Sequence, residues 1–212
     1  NVEDLAIRKN KAELEQELDQ ELMAASSGEP RVLALNSWKD RQMFRTDMRH
    51  ILGHIPEFGQ FSSELSDGAE VVVAAACRLA EEDLQSRYGV PLLSDGKHAP
   101  YAVCALGKCG GRELGYASDI ELMFVYDGEG KTSGRDSITV TEYYIKLVET
   151  ILQTIRTRHE GIFQVDLRLR PYGKGGPLAV SLEAFRSYFA LGGPAWPYER
   201  QALVKLRPIS GD

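Results

Sequence analysis

Leu106-Gly107-Lys108-Cys109-Gly110-Gly111-Arg112-Glu113-Leu114-Gly115-Tyr116-Ala117-Ser118-Asp119-Ile120-Glu121-Leu122-Met123-Phe124-Val125-Tyr126 decides the fold. It reads as the end of a strand over 100–107, a glycine-rich turn, a polar bend and a second strand over 119–126. Side chains alternate along a strand, so Asp119 and Glu121 share one face while Ile120, Leu122 and Phe124 take the other. Two carboxylates side by side on an otherwise apolar strand repel each other. A core tolerates that pair when a cation stands between them. The glycines upstream let backbone N–H groups approach a phosphate. Together they suggest a metal–nucleotide site.

Downstream, Asp127 to Gly134 reads as a loop, and 137–157 as a helix with Ile145, Val148, Ile151, Leu152 and Ile155 inward. Gly161 ends that helix, and Ile162 to Leu169 reads as a third strand. On it Asp166, Arg168 and Arg170 share a face opposite Val165, Leu167 and Leu169. A second glycine-rich turn follows at 171–176, then a short strand over 177–181 and helices at 182–191 and 197–206.

Upstream, the pattern predicts three helices. Leu14, Leu18 and Leu22 mark a narrow stripe on 2–24, which Ser26 to Pro30 ends. A helix over 37–52 takes Ser37 as N-cap, with Phe44, Met48, Ile51 and Leu52 apolar. Its row Arg41, Arg45 and Arg49 reads first as a solvated, ion-paired face and second as a surface for an acidic partner. The helix at 61–88 buries Val71, Val72, Ala75, Ala76, Leu79 and Leu84. The chain therefore divides into a helical region, 1–95, and a core, 96–212.

At 212 residues with a net charge of −6, the chain carries none of the basic excess of a general nucleic-acid binder. Three cysteines, Cys77, Cys104 and Cys109, form no C-x-x-C pair, which suits a reducing cytoplasm. No apolar run reaches membrane-spanning length. The absence of an initial methionine suggests a piece of a longer protein.

Asp119, Glu121 and Asp166 supply the hard oxygen donors that a pair of Mg²⁺ ions needs. Gly110 and Gly111 offer a phosphate cradle, with Ser118 at the bend as a further phosphate contact. Lys108, Arg168 and Arg170 neutralise phosphate charge. Such a site performs phosphoryl or nucleotidyl transfer by positioning and charge stabilisation, without an activated serine or cysteine. The glycine turn lacks the G-K-[ST] of a Walker loop. His50, His54, His98 and His159 are scattered and read as surface residues. Singly, each acid also admits an ordinary ion-pair reading, Glu121 with Arg112 or Arg168.

The stretch quoted above, Val165-Asp166-Leu167-Arg168-Leu169-Arg170-Pro171-Tyr172-Gly173 with Gly176-Pro177-Leu178, and Tyr198-Glu199-Arg200-Gln201-Ala202-Leu203-Val204-Lys205-Leu206-Arg207 together resemble the glutamine synthetase adenylyltransferase family. The segment from Trp38 to Tyr88 is similar to the region preceding its catalytic core. That family belongs to the DNA polymerase beta-like nucleotidyltransferases. The resemblance implies an α+β fold, a small mixed sheet flanked by helices and preceded by a helical N-terminal region. It also implies two Mg²⁺ or Mn²⁺ ions on Asp119, Glu121 and Asp166, with Gly110, Gly111 and Ser118 at the phosphates. Family members hold two such domains. One transfers AMP from ATP to a tyrosine of glutamine synthetase; the other removes it by phosphorolysis, releasing ADP. They control nitrogen assimilation and answer to the PII signalling protein and glutamine.

The family's acidic pair is Asp-x-Asp, and this chain has Asp119-x-Glu121. The extra methylene moves the carboxylate by about 1.5 Å, and Mg²⁺ demands near-ideal octahedral geometry. Which half of the enzyme the chain represents stays open. The alternatives are a domain of the same fold that binds nucleotide or a regulatory protein without turnover, and an adaptor docking a partner through helices 37–88.

Overall fold

The computed structural model describes residues 5–157 and 163–212. Gly161 and Ile162, taken above as a helix stop and a strand start, lie outside those residues, as do His159 and the first residues of the 2–24 helix.

Among the described residues, the part of the chain before the sheet contains three long helices. α1 (Lys11–Ala24) starts where the Asn10 side chain accepts from the Glu13 N–H and Glu13 accepts from the Asn10 N–H, a capping box. Its Leu14, Leu18 and Leu22 are all buried. Each such leucine contributes about 1.5–3 kcal/mol on leaving water. α2 runs Glu29–Ile51, eight residues earlier than the sequence suggests, because Pro30 stands in the first turn as an opening residue. Ser37 is therefore helix interior and Gly28 is the N-cap.

The apolar face assigned to α2 is also corrected. Phe44, Ile51 and Leu52 are 62%, 65% and 49% exposed, and the helix buries Leu35, Trp38, Lys39, Gln42, Arg45, Thr46 and Arg49. Its arginine row is not one solvated face. Arg41 pairs with Glu21 at the surface, 2.6 Å, but Arg45 and Arg49 turn inward. They donate to the carbonyls of Ile7 and Leu5, tying down the segment before α1. Arg49 also holds buried Glu64 through Nε and Nη2, at 3.0 and 3.2 Å. α3 (Phe58–Tyr88) packs against α2, and Gly89 ends it at positive φ.

The core is one mixed sheet. β2 (Tyr101–Ala105) and β3 (Ile120–Tyr126) pair antiparallel, Val103 opposite Phe124. β7 (Arg207–Gly211) extends β2 on its free edge, antiparallel. The other edge of β3 is shared by two short parallel strands, β5 (Val165–Asp166) at its start and β6 (Ala179–Ser181) at its end. A separate two-stranded ribbon pairs β1 (Pro91–Leu93) with β4 (Gly130–Thr132), so part of the expected 127–134 loop is strand.

Helices cover both faces of the sheet. Tyr101, Val103, Ala105, Ile120, Leu122 and Phe124 join one large core with α1, α2, α3 and α5 (Val140–Thr154). α5 opens on a Thr139–Glu142 capping box and buries Tyr143, Tyr144, Leu147, Val148 and Ile151. On the opposite face, Cys104, Met123 and Val180 pack against Phe185 and Phe189 of α6 (Leu182–Phe189) and against Leu203 and Leu206. The expected 197–206 helix is α7 (Pro197–Ala202) followed by a 3₁₀ turn, Leu203–Lys205. The fold is α+β, as expected, and none of the described helices is long and apolar enough to cross a membrane.

Candidate active site

The glycine turn after β2 is a single helical turn, α4 (Gly107–Gly110), lying directly before the polar bend that leads into β3. Gly107 has φ +50°, and a Cβ there would stand 2.6 Å from Oε1 of Glu121. Gly110 is pressed even harder. A Cβ would meet the Lys205 carbonyl oxygen at 2.0 Å, so only glycine lets α4 seat against the 3₁₀ turn. Gly110→Ala is accordingly expected to lower unfolding stability by about 1–3 kcal/mol, the usual cost of overpacking. Urea titration checks it, and an unchanged midpoint would mean that Leu203–Lys205 yields freely.

β3 carries one of the acids, Glu121, while Asp119 precedes its first residue, which corrects the expected 119–126 strand by one position. Ile120, Leu122 and Phe124 are buried in the large core, which leaves Glu121 on the opposite face. Glu121 reaches back over α4, its Oε2 3.5 Å from the Cys109 N–H. The longer side chain is what lets β3 touch that turn. Ser118, buried, closes the bend by accepting from the Gly115 N–H at 2.9 Å. Lys108 is exposed on α4.

The third acid arrives by strand pairing. Asp166 stands opposite Glu121 in the parallel β3–β5 register. β5 is only two residues long, which corrects the 162–169 strand and its phase. Arg168 and Arg170 lie in a turn beyond it, and they part company. Arg168 curls back on Asp166. Its backbone N–H donates to Oδ1 at 2.8 Å, its Nε to Oδ2 at 2.7 Å, and its Nη2 stands 2.6 Å from Oδ2 and 3.9 Å from Asp119. Arg170 instead points into its own turn, donating to the carbonyls of Leu167, Gly176 and Pro177 at 2.8, 3.2 and 3.0 Å.

One guanidinium thus pairs with Asp166 and comes within 3.9 Å of Asp119. Its protonated form is favoured first by the hydrogen bond to Asp166, and Asp119 and Glu121 add their charge. Partial burial pushes the Asp166 carboxyl up, but the Arg168 hydrogen bonds outweigh it and hold it below the ordinary aspartate range. As placed, the acids share a cation without forming a cage. Among the described residues no three His, Cys, Asp or Glu side chains stand close enough to hold one metal ion. The donor chemistry, hard carboxylate oxygens gathered around positive charge beside a glycine turn, nevertheless fits a divalent cation such as Mg²⁺. Cys109 is no rival nucleophile, because burial pushes its thiol up to about 12.

The sequence reading did not pick out Glu70. It lies on α3, buried, and accepts Lys11 at 2.8 Å, Arg112 at 3.0 Å and Arg207 at 2.7 Å. Burial works to raise its carboxyl, and the hydrogen bonds from Arg207 and Lys11 overcome that, leaving it below the ordinary glutamate value. Arg112 pairs with Asp67 and Glu70, not with Glu121. The three-residue spacing of Glu64, Asp67 and Glu70, which runs straight into the apolar stretch Val71–Cys77, was the available signal.

The family model described as glutamate-ammonia ligase adenylyltransferase matches residues 2–212. The chain is 34% identical over 180 residues to a bifunctional glutamine synthetase adenylyltransferase/adenylyl-removing enzyme of Methylococcus capsulatus, covering 84% of this chain and 19% of that protein. The protein of the same name from Aromatoleum aromaticum is 33% identical over 213 residues, 94% of this chain and 22% of its own length. That from Idiomarina loihiensis is 38% identical over 159 residues, 73% and 17%. The chain spans about a fifth of the length of these curated relatives. From residue 2 to its last residue, the chain belongs to the glutamate-ammonia ligase adenylyltransferase family.

Proposed function

We propose that this chain supplies a nucleotidyl-transfer site acting on glutamine synthetase, in one of two directions. In one, a tyrosine hydroxyl attacks the α-phosphorus of ATP, pyrophosphate leaves and a proton is released. In the other, inorganic phosphate attacks the same phosphorus of the AMP–tyrosine ester, and ADP and the tyrosine are released. The observation that supports it is that Asp166 stands opposite Glu121 in the β3–β5 register and lies 2.6 Å from Arg168, which is 3.9 Å from Asp119, next to α4. The names of the relatives support the reaction class.

Both reactions crowd negative charge at one phosphorus, so the site's work is to hold and neutralise it. Asp119, Glu121 and Asp166 would hold two divalent ions, Mg²⁺ or Mn²⁺, whose chemistry is to offset phosphate charge and acidify a bound hydroxyl. Asp166 faces the attacking oxygen and orients it. Gly110, Gly111 and Ser118 line the phosphates, and Lys108, exposed on α4, steadies the leaving group. Arg168 holds the acids in place in the nucleotide-free protein and turns to the phosphates afterwards. Arg170 shapes the turn that presents Arg168. The helical region 1–95 is scaffold and 96–212 carries the chemistry. This reading places the protein in the cytoplasm with glutamine synthetase, under the control of PII acting through the longer protein.

A second reading, nucleotide binding without turnover, is favoured by one feature: Arg168 already occupies both carboxylate oxygens of Asp166. Incubating the chain with glutamine synthetase and ATP labelled in its α-phosphate, or with the labelled AMP–enzyme and phosphate, separates the two. Label transfer or release dependent on Mg²⁺ or Mn²⁺ is expected. Nucleotide binding without either would establish the second reading instead.

A further inference from the structure

The α4 turn is reached from outside the active site by one buried carboxylate. Glu70 Oε1 accepts from Arg112 Nη1 at 3.0 Å and from Arg207 Nη2 at 2.7 Å. Arg207 passes the contact on, its Nε donating to the Gly110 carbonyl at 3.0 Å and its Nη2 to that of Cys109 at 3.2 Å. These are the last carbonyls of α4, which a cation stabilises. Arg112 follows the C-cap of α4, Gly111. The Arg112 backbone sits at φ +57°, a left-handed conformation that a non-glycine residue keeps only where its surroundings hold it. Contacts from α3 hold it there: Glu70, Asp67 at 2.8 Å and Ser63 Oγ at 2.9 Å. Both ends of the linkage are thus fixed by the same side chain, one through a strained residue and one through capped carbonyls. The remaining oxygen of Glu70 accepts Lys11 of α1 at 2.8 Å, a contact that does not lead to the turn.

We propose that Glu70 is a positioning residue for the phosphate turn: through Arg112 and Arg207 it sets the backbone of Gly107–Arg112 in the conformation that receives the nucleotide's phosphates. The role in nucleotide binding rests on the nucleotidyl-transfer reading; the hold on the turn does not. Glu70 touches neither Asp119, Glu121 nor Asp166, so it acts only by geometry. It also makes the helical region part of the site, because α3 supplies the fixed point against which the turn is set.

Two measurements test it separately. The turn's own amides report its rigidity, since Gly110 N–H donates to Leu106 O at 2.7 Å and Glu113 N–H to Lys108 O at 2.8 Å. In Glu70→Gln, hydrogen exchange at these amides is expected to speed up about tenfold while α5 amides stay unchanged, as a local opening requires. Affinity for a non-hydrolysable ATP analogue, read by calorimetry, is expected to fall about tenfold, about 1.4 kcal/mol. Lys11→Met should leave both within twofold. If Glu70→Gln does not fold, Arg112→Met cuts the link from the turn's side and leaves the carboxylate its other two partners. A folded variant whose turn exchanges within twofold of wild type overturns the positioning role. A wild-type chain that binds no analogue overturns the nucleotidyl-transfer reading instead, and exchange still decides the role of Glu70.

Discussion

On the proposed nucleotidyl-transfer reading, Asp166→Asn is expected to reduce AMP transfer to glutamine synthetase, or its phosphorolytic removal, on the order of 10³-fold with little loss of folded protein. The substitution keeps the side chain's shape and one acceptor oxygen, so the Arg168 N–H bond at 2.8 Å survives. It removes the charge that pairs with Arg168 at 2.6 Å and that faces Glu121 across the β3–β5 register. Loss of one of three carboxylates leaves the site short of negative charge where a divalent cation and an attacking hydroxyl both need it. Initial-rate assays in Mg²⁺ and in Mn²⁺, with circular dichroism as the folding control, check it. Turnover within tenfold of wild type in either metal would remove Asp166 from the catalytic set.

Arg49→Ala is expected to be the most damaging change to the fold, at about 3–5 kcal/mol. Arg49 and Glu64 side chains are 3% and 5% exposed and meet through two hydrogen bonds. Without Arg49, Glu64 is left buried with Arg8 at 3.9 Å as its remaining cation among the described residues, and the Leu5 carbonyl loses its donor. An uncompensated buried charge is among the few single changes that cost this much. Urea denaturation measures it. Arg49→Met with Glu64→Leu is expected to recover most of the loss, because the pair gives up about as much in desolvation as it gains in attraction. A single-variant cost below about 1 kcal/mol, the value of a surface pair, would show that water reaches this pair in solution.

The strands β2 and β3 were legible because each is a short apolar run bounded by turn residues, and Glu121, the one acid within β3, faces away from Ile120, Leu122 and Phe124 as period two requires. The register that sets Asp166 beside Glu121 was only guessed at, from shared charge on a supposed strand. β5 is too short to have a phase of its own, and Arg168 reaches the acids by curling back from a turn. Pro30 misled because proline ends one helix and opens the next with equal ease; its place in the first turn of α2 moved that helix and its faces. The buried arginines of α2 were hidden by the same habit, since a row of like charges reads as solvated until the carboxylate and carbonyls it meets are known. β7 was invisible for a different reason. Arg207-Pro208-Ile209-Ser210-Gly211 has one large apolar residue. It is a strand only because β2 offers an open edge, and tertiary context decides such segments.

That pairing sets a timetable for the nascent chain. β2 is made early and acquires β3 soon after, but the residue that pairs with Ala105 is Arg207. At ribosomal rates of about 5–20 residues per second, β2 waits roughly 5–20 s for its second neighbour. Through that interval an apolar strand has one bare row of N–H and C=O groups, the configuration that recruits foreign strands. α3 packs against β7 in the finished fold and is already complete by then. It therefore stands ready as the surface on which β7 docks once Arg207 has been made.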